Sequence, residues 1–249
     1  MTDLPLKDRV ALVVGASRGI GYESALALAK AGCQVVATGR TQGGLEELDD
    51  AIFAATGKHA TLIPFDLVDG GAIDRLGGAL HERFGRLDVW VQAAATMGSA
   101  GLTPVAHADP RDFARVEKVN FTAVYRLIRS LEPLLRVSDA GRVVHLTTGL
   151  ATEPRAFWGA YASTKAAAEN VMRCWADEIE STAIRIAVLN PGRMRTTLRA
   201  QAYPGEDPST LPHPAEIGPL MVELARPDRT PPPLVDFQQW RLDHARQAS

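Results

Sequence analysis

Cysteine is nearly missing from this 249-residue chain, with Cys33 and Cys174 the only two. They lie in different elements and at no metal-ligand spacing, which excludes a disulfide framework and a thiolate metal site and suits a reducing compartment. Each reads as a small buried hydrophobe, and no metal is expected. Long apolar runs are also missing. No stretch is long enough to span a bilayer, and Met1 to Arg9 lacks the apolar core of a signal peptide. An excess of one charge is missing as well: 27 Lys plus Arg stand against 29 Asp plus Glu, a formal net charge of −2. The arginines are scattered, so neither nucleic acid nor an anionic membrane is expected as a partner. There is no internal repeat and no Ser/Gly linker. Together these absences describe a soluble, cytoplasmic protein folded as a single domain over residues 1–249.

What is present alternates. Val10 to Val14 reads as a buried strand, followed by a Gly turn and a helix from about Ile20 to Ala31. Further strands are expected at 35–38, 61–64, 87–91, 142–146, 184–189 and 234–237. Helices are expected at about 45–55, 72–84, 110–135, 158–180 and 215–225, the last of these being the final helix. Seven strands with intervening helices predict a doubly wound α/β fold, a mainly parallel sheet covered on both faces. One stretch breaks the rhythm. Residues 193–214 are rich in Pro and polar residues, and they are long enough for a functional loop or lid.

Two local patterns carry chemistry. Gly15, Gly19 and Gly21 fall between the first strand and the first helix, where a Gly-rich turn lets backbone approach a pyrophosphate at the positive helix N-terminus. Tyr161 and Lys165 stand one helical turn apart and share a helix face. A cation beside a phenol favours the phenolate and draws its pKa toward the range useful for general acid–base catalysis.

These residues, with Asp66-Leu67, Asn120, Thr148 and Asn190-Pro191-Gly192 in the same order, resemble the short-chain dehydrogenase/reductases over nearly the whole chain. The resemblance implies a Rossmann-type fold and a catalytic set of Asn120, Thr148, Tyr161 and Lys165. Thr148 stands where the family usually has Ser, and its neighbour Thr147 is expected to face the other way. Asn120 is implied to bend the long helix and hold a water that links Lys165 to solvent. Lys165 is implied both to bias Tyr161 and to hold the nicotinamide ribose. For the dinucleotide the resemblance implies Gly15, Ser17, Arg18, Gly19, Ile20 and Gly21 in the turn, Asp66 and Leu67 at the adenine, and Ala93 and Ala94 along the backbone. Pro191, Gly192, Met194 and Thr196 are implied to lie at the nicotinamide. After the second strand, NAD-preferring members carry an acidic residue where this chain has Gly39. Arg40 with Arg18 instead supplies planar cations suited to a 2′-phosphate, so NADP(H) is expected over NAD(H).

The chain departs from the family at Gln92-Ala93-Ala94-Ala95, where Asn-Asn-Ala-Gly is usual. That departure supports an alternative reading, a non-catalytic NAD(P)-binding regulator or scaffold on the same fold. The primary expectation is reversible hydride transfer between a ketone or aldehyde and its alcohol. Met97, Leu150, Phe157, Trp158 and Tyr203 are candidates for an apolar substrate wall. A homodimer or homotetramer is implied, as in other members; Ala166, Ala167 and Ala168 allow close helix approach, and buried packing within one subunit explains them equally well.

Overall fold

A computed structural model of the chain describes residues 4–247; residues 1–3 and 248–249, the extremities of the expected domain, lie outside the described residues. Strand β1 (Val10–Val14) sets the layering. All five residues are buried, and side chains alternate across a strand. Ala11 and Val13 therefore enter one core, and Val10, Leu12 and Val14 enter the other.

The chain then winds through α1 (Gly19–Lys30), β2 (Gln34–Gly39), α2 (Gln42–Thr56), β3 (Thr61–Pro64), α3 (Gly70–Phe84) and β4 (Val89–Gln92). Next come α4 (Pro110–Glu117), a π-helical turn over Lys118–Thr122, α5 (Ala123–Val137) and β5 (Arg142–Leu146). The last part holds α6 (Gly159–Glu178), β6 (Arg185–Asn190), α7 (Thr197–Ala202), α8 (Gly218–Ala225), β7 (Leu234–Asp236) and α9 (Phe237–Gln247). The sheet runs β3-β2-β1-β4-β5-β6-β7, with every pair parallel. From β1 the chain winds outward to β3, then returns to β4 on the other side of β1. Such a reversal opens a crevice at the carboxyl ends of the central strands, the usual binding position in this architecture.

One core packs Leu28, Leu45, Leu48, Leu220 and Phe237 against the sheet. The other packs Ile73, Leu80, Leu127, Leu131, Met172 and Trp175. Fully burying a side chain of this size contributes about 1.5–3 kcal/mol. The amino end of β4 is tied by Asp88, a fully buried carboxylate. It accepts from the Val10 amide (2.8 Å), Ser138 (2.6 Å), Arg9 (3.1 Å) and Arg86 (3.0 Å).

Several expectations need correction. The helix at 215–225 is not the last, because α9 follows β7 and buries Phe237 completely. Within the stretch 193–214 the structure adds α7, with Thr196 capping the Arg199 amide at 3.2 Å. The long helix at 110–135 is two helices joined by the π turn that contains Asn120. Strand β4 begins at Val89 rather than Leu87, whose amide bonds to the Leu134 carbonyl at 3.2 Å instead of to a strand. Cys33 is buried as expected, whereas Cys174 is exposed on the outer side of α6.

Candidate active site

A cavity of about 830 Å³ opens at the carboxyl ends of the central strands. At one end stands the turn after β1. Gly15 has φ +89°, and a Cβ there would lie 2.7 Å from the Ala94 backbone. A Cβ on Gly21 would lie 2.1 Å from the Gly15 carbonyl oxygen. Only glycine admits this packing of α1 against the turn. No side chain caps the α1 N-terminus at Arg18, so its free amides and positive dipole end face the cavity. Thr196 reaches across from the β6 side, with its methyl 3.5 Å from where a Gly19 Cβ would stand.

Arg18 and Arg40 line this end, and neither forms an ion pair with a carboxylate among the described residues. Ser17, Ile20, Leu67, Ala93 and Ala94 line it too. Asp66 is held from two sides, accepting from the Val68 amide (3.2 Å) and from Arg115 of α4 (2.8 Å). Arg115 was not legible as a site residue, because no local motif surrounds it and only the return of α4 to the crevice brings it there. Partial burial raises the Asp66 carboxyl, but the hydrogen bonds from Arg115 and the Val68 amide and the charges of Arg115 and Arg40 outweigh it and hold the group below its usual range.

The other end gathers the proposed proton-transfer residues. Thr148, Tyr161 and Lys165 line the cavity together, and so do Pro191, Gly192 and Met194. Thr148 follows β5, and its hydroxyl accepts from the Leu150 amide at 3.3 Å. Thr147 turns to α6 and donates to buried Glu169 at 2.6 Å. Lys165, only 3% exposed, donates to the Leu146 carbonyl. The Pro191-Gly192 turn is braced by Asn190, which accepts from the Gly192 amide (3.1 Å) and donates to Asp236 (3.0 Å).

Asn120 does not line the cavity. It clamps the loop behind it, accepting from the Thr96 amide (2.8 Å) and donating to the Thr96 carbonyl (2.8 Å) and to Thr164 (3.1 Å). The Asn120 backbone lies in the π turn between α4 and α5, and its side chain thus holds the segment after β4. That segment keeps its register despite its unusual sequence, with Gln92 paired to both Val14 and His145.

The pKa pattern corrects another expectation. Burial pushes the Tyr161 phenol up to about 12, not down toward neutrality. Burial pushes the Lys165 ammonium down to about 8, with Glu169 opposing the fall. In this geometry the ammonium bonds the Leu146 carbonyl, and the phenol is a neutral acid at physiological pH. Burial thus keeps the proton on Tyr161 and makes it a weaker acid than a free phenol.

Trp158, Met97, Ala162 and Ala202 form a third apolar cluster, joined by Leu102, Leu150, Tyr161, Leu198 and Tyr203. Trp158 stands edge-on to Tyr161 with ring centroids 5.5 Å apart, and 6.0 Å from Tyr203. Tyr203 in turn lies under Arg199, which pairs with Glu206 at 2.6 Å. Gln201 ties this segment to the Gly98 carbonyl at 3.0 Å across the mouth. Phe157 does not join the wall. Its backbone adopts φ +71°, and the ring is 54% exposed, beside a small adjoining pocket.

Among the described residues no His/Cys/Asp/Glu group could hold a metal, and no helix is long and apolar enough to cross a membrane.

Comparison with known proteins places this geometry. Residues 9–207 match the sequence model of the short chain dehydrogenases. The uncharacterized oxidoreductase YciK of Escherichia coli (strain K12) is 36% identical over 225 residues, spanning 90% of this chain and 88% of YciK. A short chain dehydrogenase from Salmonella enterica serovar Typhi superimposes with TM-score 0.90 at 34% identity, covering 96% of this chain and 99% of that one. A putative short chain dehydrogenase of Escherichia coli CFT073, solved with NADPH, gives 0.88 at 36% identity, covering 96% and 99%. With a family model matched across most of its length and a relative aligned nearly end to end, the chain belongs to the short-chain dehydrogenase/reductase family and is a dehydrogenase/reductase enzyme.

Proposed function

We propose that the enzyme catalyses reversible, NADP(H)-dependent hydride transfer between a ketone or aldehyde and the corresponding alcohol. The observation that carries this reading is a single cavity with a phosphate-binding turn at one end and Thr148, Tyr161 and Lys165 at the other. The residues fit a phosphorylated dinucleotide. The Gly15–Gly21 turn leaves backbone room, α1 presents an uncapped N-terminus, and Arg18 and Arg40 offer guanidinium groups without carboxylate partners. The bound nicotinamide supplies or accepts the hydride.

The protein side chains do the rest. Thr148 holds the carbonyl oxygen, and Tyr161, neutral at physiological pH, gives the proton in reduction and takes it back in oxidation. Lys165 places positive charge beside that transfer, and Asn120 fixes the Thr96 segment that borders the site. Met97, Leu150, Trp158 and Tyr203 form an apolar wall for the substrate body. Residues 193–214 act as its lid, anchored by Gln201 and by the Arg199–Glu206 pair. The NADPH complex of the Escherichia coli CFT073 relative supports the cofactor assignment. Cytoplasmic location and a homodimer or homotetramer belong to the same reading, with half-exposed Tyr125 on α5 offering apolar contact area.

The test is a saturation titration with NADPH and NADH, followed by an oxidation screen over ketones and aldehydes. Tighter NADPH binding and turnover on apolar carbonyl compounds are expected. Binding without turnover on any of them would favour the regulator reading, and equal affinity for NADH would overturn the cofactor choice.

A further inference from the structure

Beside Lys165 lies a buried polar pair for which the proton-transfer set has no use. His145 on β5 and Gln92 on β4 are register partners across parallel strands, with 0% and 1% exposure. By strand alternation they share the face of Trp90 and Val143, which α5 and α6 cover. Neither ring nitrogen of His145 has a hydrogen-bond partner among the described residues, and neither does the side-chain oxygen of Gln92. The Gln92 amide nitrogen makes only a long bond, 3.5 Å, to the Ala94 carbonyl. On the same face the Trp90 indole nitrogen is unpartnered too. The surroundings are otherwise well paired. Thr147, two residues beyond His145, meets Glu169, and Lys165 donates to the carbonyl of Leu146, the very next residue.

Buried polar atoms in native proteins almost always have partners, supplied by protein or by ordered water. We propose that His145 and Gln92 hold an internal water between them, and that His145 acts through it as a positioning residue for the Lys165 ammonium. One water can bond a ring nitrogen of His145 and donate to the Gln92 oxygen, which accounts for two of the pair's three unpartnered atoms. His145 remains neutral because burial, and secondarily the charge of Lys165, hold its pKa well below the ordinary value.

The groups around the pair are few. Strand β4 brings uncharged Trp90 on the same face, and β6 brings apolar Val188 as the other register partner of His145. Helix α6 brings Lys165 and Glu169, the latter bonded by Thr147 and 3.6 Å from Arg173 at its outer side. An added acceptor near the ammonium stabilises its charged form against the burial that lowers it.

This inference rests on Lys165 being the group that works beside Tyr161, yet its test needs no turnover. The chain has five lysines, and Lys7, Lys30, Lys58 and Lys118 are exposed. Carbon-13 labelling of the lysine ε positions therefore gives Lys165 a separate titration, near 8. In His145→Phe the midpoint is expected to fall by about one unit, a tenfold change in acidity. In His145→Gln, which keeps a donor and an acceptor, it should stay near the wild-type value. Gln92→Leu removes the other wall and should reproduce the Phe shift, which keeps the test decisive if His145→Phe does not fold. An unchanged Lys165 midpoint in the folded Phe or Leu variant overturns the proposal. The predicted shifts without any turnover in the wild type would instead count against the catalytic reading alone.

Discussion

Replacing Lys165 by methionine removes a buried ammonium while keeping most of the side-chain volume. Burial lowers the Lys165 pKa from 10.5 to about 8, and about 2.5 units correspond to roughly 3 kcal/mol of penalty on the charged form. At pH 7 the variant regains that penalty but leaves the Leu146 carbonyl without its donor, a loss of about 1–3 kcal/mol. The net change at neutral pH is therefore small, and the decisive signature is its pH dependence. Below pH 8 both folded and unfolded states carry the proton, so the penalty is constant. Between pH 8 and 10.5 the unfolded state holds more protons, so wild-type stability gains from this residue as pH rises. The methionine variant has no such gain. Urea unfolding of both proteins from pH 7 to 10.5 should show the wild type improving relative to Lys165→Met by roughly 3 kcal/mol. A stability difference that stays constant across that range would refute the buried-ammonium argument.

Two further outcomes are expected. Arg40→Ala should raise the KM for NADPH roughly ten- to hundredfold, the loss of one charge-assisted hydrogen bond, while leaving the KM for NADH nearly unchanged; steady-state kinetics with both cofactors measures it. Asp88→Ala leaves the buried Val10 amide and the Ser138 hydroxyl without their acceptor, while Arg9 keeps Asp139, and should destabilise the fold by about 1–3 kcal/mol. Urea denaturation reads that loss, and the affinity of the folded fraction for NADPH should not move, since Asp88 lies at the opposite end of the strand from the cavity.

The strands were legible because their character is local. Val10–Val14 is an unbroken apolar run rich in valine, and Val143-Val144 marks β5 between Arg142 and His145. Helix α9 was not legible, since it is rich in Gln, Arg and His and its apolar anchors reduce mainly to Phe237 and Trp240, three residues apart. Its stability comes from tertiary contact, with Trp240 stacked on Phe237 and donating to Glu223 of α8 at 3.0 Å. At the site, motif spacing anticipated the residues brought to one cavity, from Gly15 to Thr196. Asn120 stands behind the cavity and holds the Thr96 segment instead, Phe157 lies at the small adjoining pocket, and the Tyr161 pKa depends on burial rather than spacing. Arg115, Leu198 and Gln201 reach the cavity only through the path of α4 and α7. No sequence signal marks His145 either, because its lack of partners emerges only when β4 and β5 are set side by side.

The central claim is that Tyr161 moves the proton in a site that binds the dinucleotide independently of it. Tyr161→Phe keeps the ring that packs against Trp158 and deletes only the hydroxyl. On a carbonyl substrate found in the screen, kcat should fall by about a hundredfold or more, while the Kd for NADPH, followed by fluorescence titration, stays at the wild-type value. Turnover at the wild-type rate in that variant would contradict the account.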